Sequence, residues 1–305
     1  MTNALPVSAP ASSAGADPGV VLRHLLWACD FSECSVGALR FAIPLARAFG
    51  SDITALHVIP TTIPPGAGAA SFTNPALLKP HLHHDVSTSL SRYLGPAVAA
   101  SVSTHIALRE GKPVEEILAL AASLPAGLIV LGTHGKRAIT RAVLGSVAEG
   151  VLGKARCPVL AVPTASSAEA GARLETILWA TDFSAHAEEA QRFALSIAGK
   201  TKARLLLMHV LEGDILVPDA IRVREAEDRL GEAMNACRAA GCPAEAVVIL
   251  GSASREVTRL ARERSVDLIV MGVEGPHAVH RMLFGSTTHR VVRDAPCAVL
   301  AVRRI

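Results

Sequence analysis

The sequence predicts two tandem doubly wound α/β domains, and three observations carry that prediction. The first is size: 305 residues is the length of two ordinary domains rather than one large one. The second is composition: half the chain is apolar, yet seven Phe, two Trp and one Tyr are its only aromatics. The cores must therefore be built from Ala, Val, Leu and Ile, which suits buried parallel sheet under Ala-rich helices. The third is an internal repeat. LLWACDFS at 25–32 returns as ILWATDFS at 177–184, and the same offset of 152 carries Arg40-Phe41-Ala42 to Arg192-Phe193-Ala194 and His57-Val58 to His209-Val210. Further on, the offset is 140: Gly111 to Gly251, Gly132 to Gly272, Gly135 to Gly275, Gly145-Ser146 to Gly285-Ser286, and Cys157 to Cys297.

The first copy is thus longer by 12 residues, between Val58 and Gly111. The Pro- and Gly-rich stretch PTTIPPGAGAASFTNPALLKPHLHH accounts for them and reads as a loop. Residues 1–19, rich in Ala, Ser and Pro and without Lys or Arg, read as a disordered arm rather than a cleaved signal. Residues 164–173 have linker composition, so the domains run over 20–163 and 174–305.

Within each copy short apolar runs alternate with helical periodicity, the pattern of βαβ units. In the first copy the strands are HLLWACD, DITALHVI, STHIALRE, GLIVLG and PVLAV, with helices over 35–49, 84–99, 113–123 and 146–154. The second copy repeats the strands as TILWATD, RLLLMHVL, AEAVVIL, DLIVMG and AVLAV. Pro44 falls inside the first helical pattern, where it either kinks the helix or shifts its start.

A formal net charge of +3, from 30 basic and 27 acidic residues, gives no sign of a nucleic-acid partner. No run is long and apolar enough to predict a membrane span. Six cysteines without a CxxC pair or zinc spacing fit a reducing, cytoplasmic setting.

In open α/β sheets ligands bind beyond the carboxyl ends of the strands. The first strand ends at Asp30 and Asp182, the fourth at Gly132 and Gly272. After the fourth comes Gly132-Thr-His-Gly135, nine residues, then Gly145-Ser146 opening a helix; Gly272-Val-Glu-Gly275 and Gly285-Ser286 repeat the spacing. Glycines let backbone approach an anion, and the first N–H groups of a helix lack intrahelical partners at the positive end of its dipole. A phosphate chain suits this arrangement, although each glycine could equally serve a turn. Ser146 as N-cap with Glu149 three residues on would form a capping box. Asp30 is either a ligand group or a helix cap, with Ser32 the alternative cap.

The pattern Gly-x2-Gly-x9-Gly-Ser/Thr, with a strand ending in Asp-Phe-Ser and another in His-Val, resembles the nucleotide-binding branch of the universal stress protein family. The resemblance covers both halves. It implies Rossmann-like domains with five-stranded parallel sheets of order 3-2-1-4-5, ATP in the crevice, accompanied by Mg2+, and domain pairing through the fifth strands. A homodimer is a further expectation. Carried over residue by residue, the resemblance sets adenosine against Ala28, Cys29, Asp30 and the main chain of Val58. It sets the phosphates on Gly132, Gly135, Gly145, Ser146 and Val147, with Leu131, His134 and Lys136 beside them. The second-copy counterparts are Ala180, Thr181, Asp182, Val210, Met271, Gly272, Gly275, Gly285, Ser286 and Thr287.

The two sites are expected to differ. His134, Lys136, Arg137 and Arg141 give the first loop cations, whereas the second holds Glu274 and Pro276, with His277, His280 and Arg281 compensating in part. The first site should bind ATP more tightly. His81, His83 and His84 read as exposed loop residues rather than metal ligands, and Cys237 and Cys242 as buried thiols rather than a redox pair. No GxSxG, HExxH or P-loop lysine motif occurs, so a fast hydrolase is not expected; the rival readings are a slow ATPase and a nucleotide-free assembly module.

Overall fold

A computed structural model describes residues 5–6, 19–61, 75–124, 126–135, 144–164, 174–212, 220–273 and 285–304, with side chains of the second helix described from residue 83. The arm read as disordered lies outside the described residues except for Gly19 and Leu5–Pro6, a two-residue strand, β1. The linker stretch beyond Thr164 also lies outside them.

In the first domain β2 (His24–Ala28), β3 (Asp52–Ile59), β4 (Thr104–Glu110), β5 (Leu128–Gly132) and β6 (Val159–Val162) alternate with α1 (Glu33–Phe49), α2 (Pro75–Ala99), α3 (Pro113–Ser123) and α4 (Ser146–Lys154). The second repeats this with β7 (Thr176–Thr181), β8 (Arg204–Leu211), β9 (Ala244–Leu250), β10 (Leu268–Gly272) and β11 (Ala298–Val302). Its helices are α5 (Ala185–Thr201), α6 (Ala220–Ala239), α7 (Ala253–Glu263) and α8 (Ser286–Asp294). One departure concerns the stretch read as a loop: α2 starts at Pro75, nine residues before the expected start at 84. Proline suits a first helical turn, whose N–H would have no partner anyway, and Ala76, Leu77 and Leu78 are strong helix formers. Pro44 does not end α1, which runs on to Phe49.

The sheet order is β1-β9-β8-β7-β10-β11-β6-β5-β2-β3-β4. Each domain therefore contributes a parallel sheet of order 3-2-1-4-5. The two meet where β11 pairs antiparallel with β6, placing Leu300 opposite Leu160. These residues are equivalents in the repeat, so a pseudo-twofold axis passes between them. At the far edge β1 pairs antiparallel with β9, Leu5 opposite Val248.

Strand side chains alternate between faces. Leu25 and Trp27 belong to the core layer that includes residues of α1, α2, α5 and α6, while Leu26 and Ile129 belong to the layer that includes residues of α3, α4, α7 and α8. Both core layers run through both domains. Trp27 Nε1 donates to the Ser35 carbonyl (2.7 Å) and Trp179 Nε1 to the Ala187 carbonyl (3.1 Å), fastening the first turn of α1 and of α5 to the first strand of each domain.

Candidate functional site

The first cleft begins where β2 ends. Cys29 N–H donates to Leu56 O (2.8 Å), and the chain then turns sharply through Phe31, whose φ of 62° lies in the left-handed region. A bulky residue held there costs roughly 1–3 kcal/mol and persists only when its neighbours enforce it. Here Asp30 Oδ1 accepts from both Ser32 N–H (2.9 Å) and Ser32 Oγ–H (2.6 Å), while Ser32 Oγ accepts from Ser35 N–H (3.1 Å). Ser32 is thus the cap of α1 and Asp30 braces that cap with one oxygen. Its other oxygen faces the glycine loop: a Cβ on Gly135 would lie 2.8 Å from Asp30 Oδ2. His57 Nδ1–H donates to Cys29 O (2.7 Å), and its ring sits 4.7 Å from that of Phe31.

The opposite wall is the loop after β5. Thr133 N–H donates to Val162 O (3.0 Å), and Gly145 N–H returns to Thr133 O (2.8 Å), closing the loop over the described residues. α4 then starts with Gly145 as its N-cap and no side-chain cap. This corrects the expected capping box: Ser146 is the first helical residue, because the return bond to Thr133 sets the turn at Gly145. Gly145 has no side chain with which to cap the first-turn N–H groups of Ser146, Val147 and Ala148, which carry the positive end of the helix dipole. His134 Nδ1 bonds Thr133 Oγ1 (2.8 Å), and its buried Nε2 has no partner among the described residues.

The glycines divide by physical role. A Cβ on Gly132 would strike the carbonyl carbon and Sγ of Cys34 at 2.8 Å, so the first turn of α1 requires glycine there whatever the cleft binds. Gly145 is limited by Thr133 O at 3.1 Å, a turn constraint, and Gly135 by Asp30.

Between these walls lies one cavity of about 730 Å³. Ala28, Cys29, Asp30, Val58, Leu131, Gly132, His134, Gly135, Gly145, Ser146 and Val147, brought together from four separate segments, all line it. Lys136, with Arg137 and Arg141, lies outside the described residues. Sequence reasoning missed the apolar part of the lining, Pro60, Pro113, Ile117 and Leu144. Pro113 and Ile117 carried only the signal of an amphipathic helix, which does not say that one end of its buried stripe meets a cleft.

The second domain keeps the backbone of this arrangement and changes its walls. Ala180, Thr181, Asp182, Val210, Met271 and Gly272 stand at the ends of β7, β8 and β10, with Gly285, Ser286 and Thr287 at the start of α8. Phe183 repeats the left-handed turn (φ 61°), Asp182 Oδ1 accepts from Ser184 N–H (2.9 Å), and His209 Nδ1–H donates to Thr181 O (2.8 Å). Gly272 is squeezed by α5, with the His186 carbonyl carbon 2.5 Å from a notional Cβ, whereas a Cβ on Gly285 would meet nothing within 4 Å among the described residues.

At the position equivalent to Pro60 stands Glu212, whose Oε1 accepts from Ala253 N–H (2.9 Å), the equivalent of Pro113. Arg229 lies over the Phe183 ring, 4.2 Å from its centroid. Burial, opposed by the Thr181 carbonyl and Asp182 and reinforced by Arg229 and Arg222, holds the His209 pKa below its ordinary value. Gly275, Glu274, Pro276, His277, His280 and Arg281 lie outside the described residues.

Among the described residues no three His, Cys, Asp or Glu side chains gather to hold a metal ion. His83 Nε2 instead lies 3.3 Å from Glu110 Oε1. All six cysteines are free. Burial pushes the Cys157 thiol up to about 11 and those of Cys237 and Cys297 to about 12, so they are poor nucleophiles at neutral pH. No helix among the described residues is long and apolar enough to cross a membrane.

Comparison with known proteins agrees with the repeat. A sequence model of the universal stress protein family matches residues 22–163 and again 173–303. A universal stress protein of Thermus aquaticus is 37% identical over 138 residues, covering 42% of this chain and 98% of its own. One from Mycolicibacterium smegmatis is 28% identical over 292 residues, covering 92% of this chain and 96% of its own. The crystal structure of a universal stress protein from Archaeoglobus fulgidus superposes with a TM-score of 0.73 at 23% identity, covering 92% of this chain and 98% of that one.

Proposed function

The chain belongs to the universal stress protein family as a tandem member, and we propose that its first domain binds an adenine nucleotide, with ATP the expected ligand, and uses occupancy to bias conformation or partner binding. The observation that carries this reading is the composition of the 730 Å³ cavity, which lies within the ~300–1,000 Å³ range of small-ligand sites. One side is apolar (Leu56, Val58, Pro60, Pro113, Ile117) and suits a base; the other offers uncapped helix N–H groups and the unpartnered His134 Nε2 and suits phosphates. Asp30 is the only carboxylate in the lining among the described residues. Mg2+ would therefore be held by phosphate oxygens and water, with Asp30 as its one protein carboxylate. When bound, Mg2+ supplies charge neutralisation of the phosphates.

Occupancy acts by linkage: a nucleotide that prefers one arrangement of the domains shifts the population by its differential affinity. A cytoplasmic setting and a homodimer complete the proposal. A slow ATPase is the second reading, favoured by the Asp30 carboxylate beside the phosphate wall.

Calorimetry with ATP and Mg2+ on the intact chain and on Gly135→Asp tests the reading. The added side chain would run into Asp30 Oδ2, both filling the loop and placing two carboxylates together, so binding should weaken by at least about a hundredfold. Absence of heat with the intact chain would leave the nucleotide-free assembly reading. Phosphate release that vanishes in Asp30→Ala would favour the ATPase.

A further inference from the structure

The helix that walls the first cleft is gripped by the other domain. α4 presents Ser146, Val147 and Ala148 to the cavity. On its flank Glu149 Oε1 lies 3.6 Å from Nε2 of His289, its own counterpart on α8 across the pseudo-twofold axis. At its far end the Leu152 carbonyl accepts a hydrogen bond from Nη2 of Arg303, the residue after β11.

Arg303 is an unusual residue for that position. It is 4% exposed, and its Nη1 has no hydrogen-bond partner among the described residues. Burial alone pushes its pKa below arginine's ordinary value. Taking a guanidinium out of water is expensive, and no carboxylate among the described residues is bonded to it. What offsets the cost is the C-terminal end of α4, where the last carbonyls lack intrahelical donors and the helix dipole is negative.

The grip runs one way. The counterpart of Leu152 is Val292 on α8, and the counterpart of Arg303 is Pro163, which has neither an N–H nor a side-chain donor. Pro163 cannot return the bond, and the C-terminal end of α8 is held from within its own domain, where Arg262 Nη2 donates to the Asp294 carbonyl (2.8 Å). An element shared symmetrically through β6–β11 thus carries an asymmetric latch directed at the first cleft.

We infer that Arg303 is a positioning residue for the first cleft: by holding the C-terminal carbonyl of α4 from the second domain, it fixes the helix whose first N–H groups wall the cavity. The second domain then serves the first as a clamp, whatever its own cleft holds. The consequence for ligand affinity rests on the nucleotide reading above; the consequence for α4 does not.

Full-length Arg303→Met, of similar length but without a donor, is compared with the unmodified chain by hydrogen exchange without ligand and by calorimetry with ATP and Mg2+. Exchange over 146–154 should accelerate about tenfold while that over 286–294 stays unchanged. ATP affinity should fall about five- to tenfold, and Arg303→Lys should restore part of both effects. Arg303→Gln, too short to reach Leu152, makes the same comparison if the Met variant does not fold.

Unchanged protection of α4, equal loosening of α8, or a loosened α4 with unaltered ATP affinity would each overturn the proposal. If the unmodified chain binds no ATP, the nucleotide reading fails on its own, and the exchange of α4 against α8 still decides whether the latch exists.

Discussion

The two clefts share a backbone and differ in their walls. Both have a left-handed Phe braced by an Asp and a Ser, a His bonded to the carbonyl at the end of the first strand, and a glycine pressed against the first turn of a helix. These common features hold the first strand, the first helix and the fourth strand together. They are consequences of the fold, and they would persist in a domain that bound nothing. The differences lie in the walls: prolines at 60 and 113 against Glu212 bonded to Ala253, an aromatic contact of Phe31 with Tyr93 (6.0 Å) against the Arg229 guanidinium over Phe183, and an α4 held at its C-terminal end by Arg303 of the other domain against an α8 held there by Arg262 of its own. Duplication kept the scaffold and let the cleft walls diverge.

The sharpest way to break this comparison is at the glycines. Gly272→Ala forces a Cβ into the His186 and Ala187 backbone, which cannot swing away, so stability should drop by roughly 1–3 kcal/mol in denaturant unfolding. Gly285→Ala meets nothing within 4 Å among the described residues and should stay within about 0.5 kcal/mol of the parent. Equal losses at both would mean that Gly272 is not required for packing.

A smaller effect should appear on removing the charge from the second cleft. Glu212→Gln keeps an acceptor for Ala253 N–H but drops the carboxylate at the cleft rim. In a Gly135→Asp background, residual ATP binding should strengthen about fivefold, the effect of roughly 1 kcal/mol of relieved repulsion. No gain would place the cause of any weakness in the second loop instead.

The mildest contrast is in pH dependence. Burial lowers the His209 pKa from its ordinary 6.5, so on acidification the unfolded chain takes up the proton before the folded one does. Its contribution to stability is therefore intact above pH 6.5 and is lost as pH falls below that, until the depressed folded value is passed. Tm measured at about pH 7.5 and about pH 5.5 should fall more in the parent than in His209→Gln. An identical fall in both would remove His209 as a contributor.

Much of the fold was legible because it is written in short-range terms. The apolar runs located ten strands within a few residues, and the repeat offset predicted where each reappears. The start of α2 was misjudged because proline reads as a breaker inside a pattern and as a starter at its first position, and only the first turn itself distinguishes them. The placement of Ser146 failed for a related reason: a cap is set by where the backbone turns, and that turn is set by the long-range bond from Gly145 to Thr133. β1 on the edge of β9 left no periodic trace in two residues.

The candidate site was legible in its polar half. Asp30, Gly135 and Gly145 stand at strand and helix ends, where sequence punctuation is strongest, and the cavity gathers them. Its apolar half was not, since Ile117 or Leu144 looks the same in sequence whether it faces a core or a cleft. The reason for Gly132 was likewise hidden: spacing associated it with phosphate, while its surroundings show that the first turn of α1 requires it.

What the amino-acid sequence determined by itself is the unit of construction: a βαβ domain, duplicated, with its cleft-facing strand ends marked by Asp-Phe-Ser and paired glycines. Periodicity and turn chemistry act over a few residues, so they survive as readable pattern. What only the tertiary structure decided is which equivalents remain equivalent. Glu212 meets Ala253, and Arg303 meets Leu152, 151 positions away, because sheet order and the pseudo-twofold axis bring distant segments within hydrogen-bond reach. Contacts set by that geometry leave no local signal in either partner, and they are what makes two copies of one domain unequal.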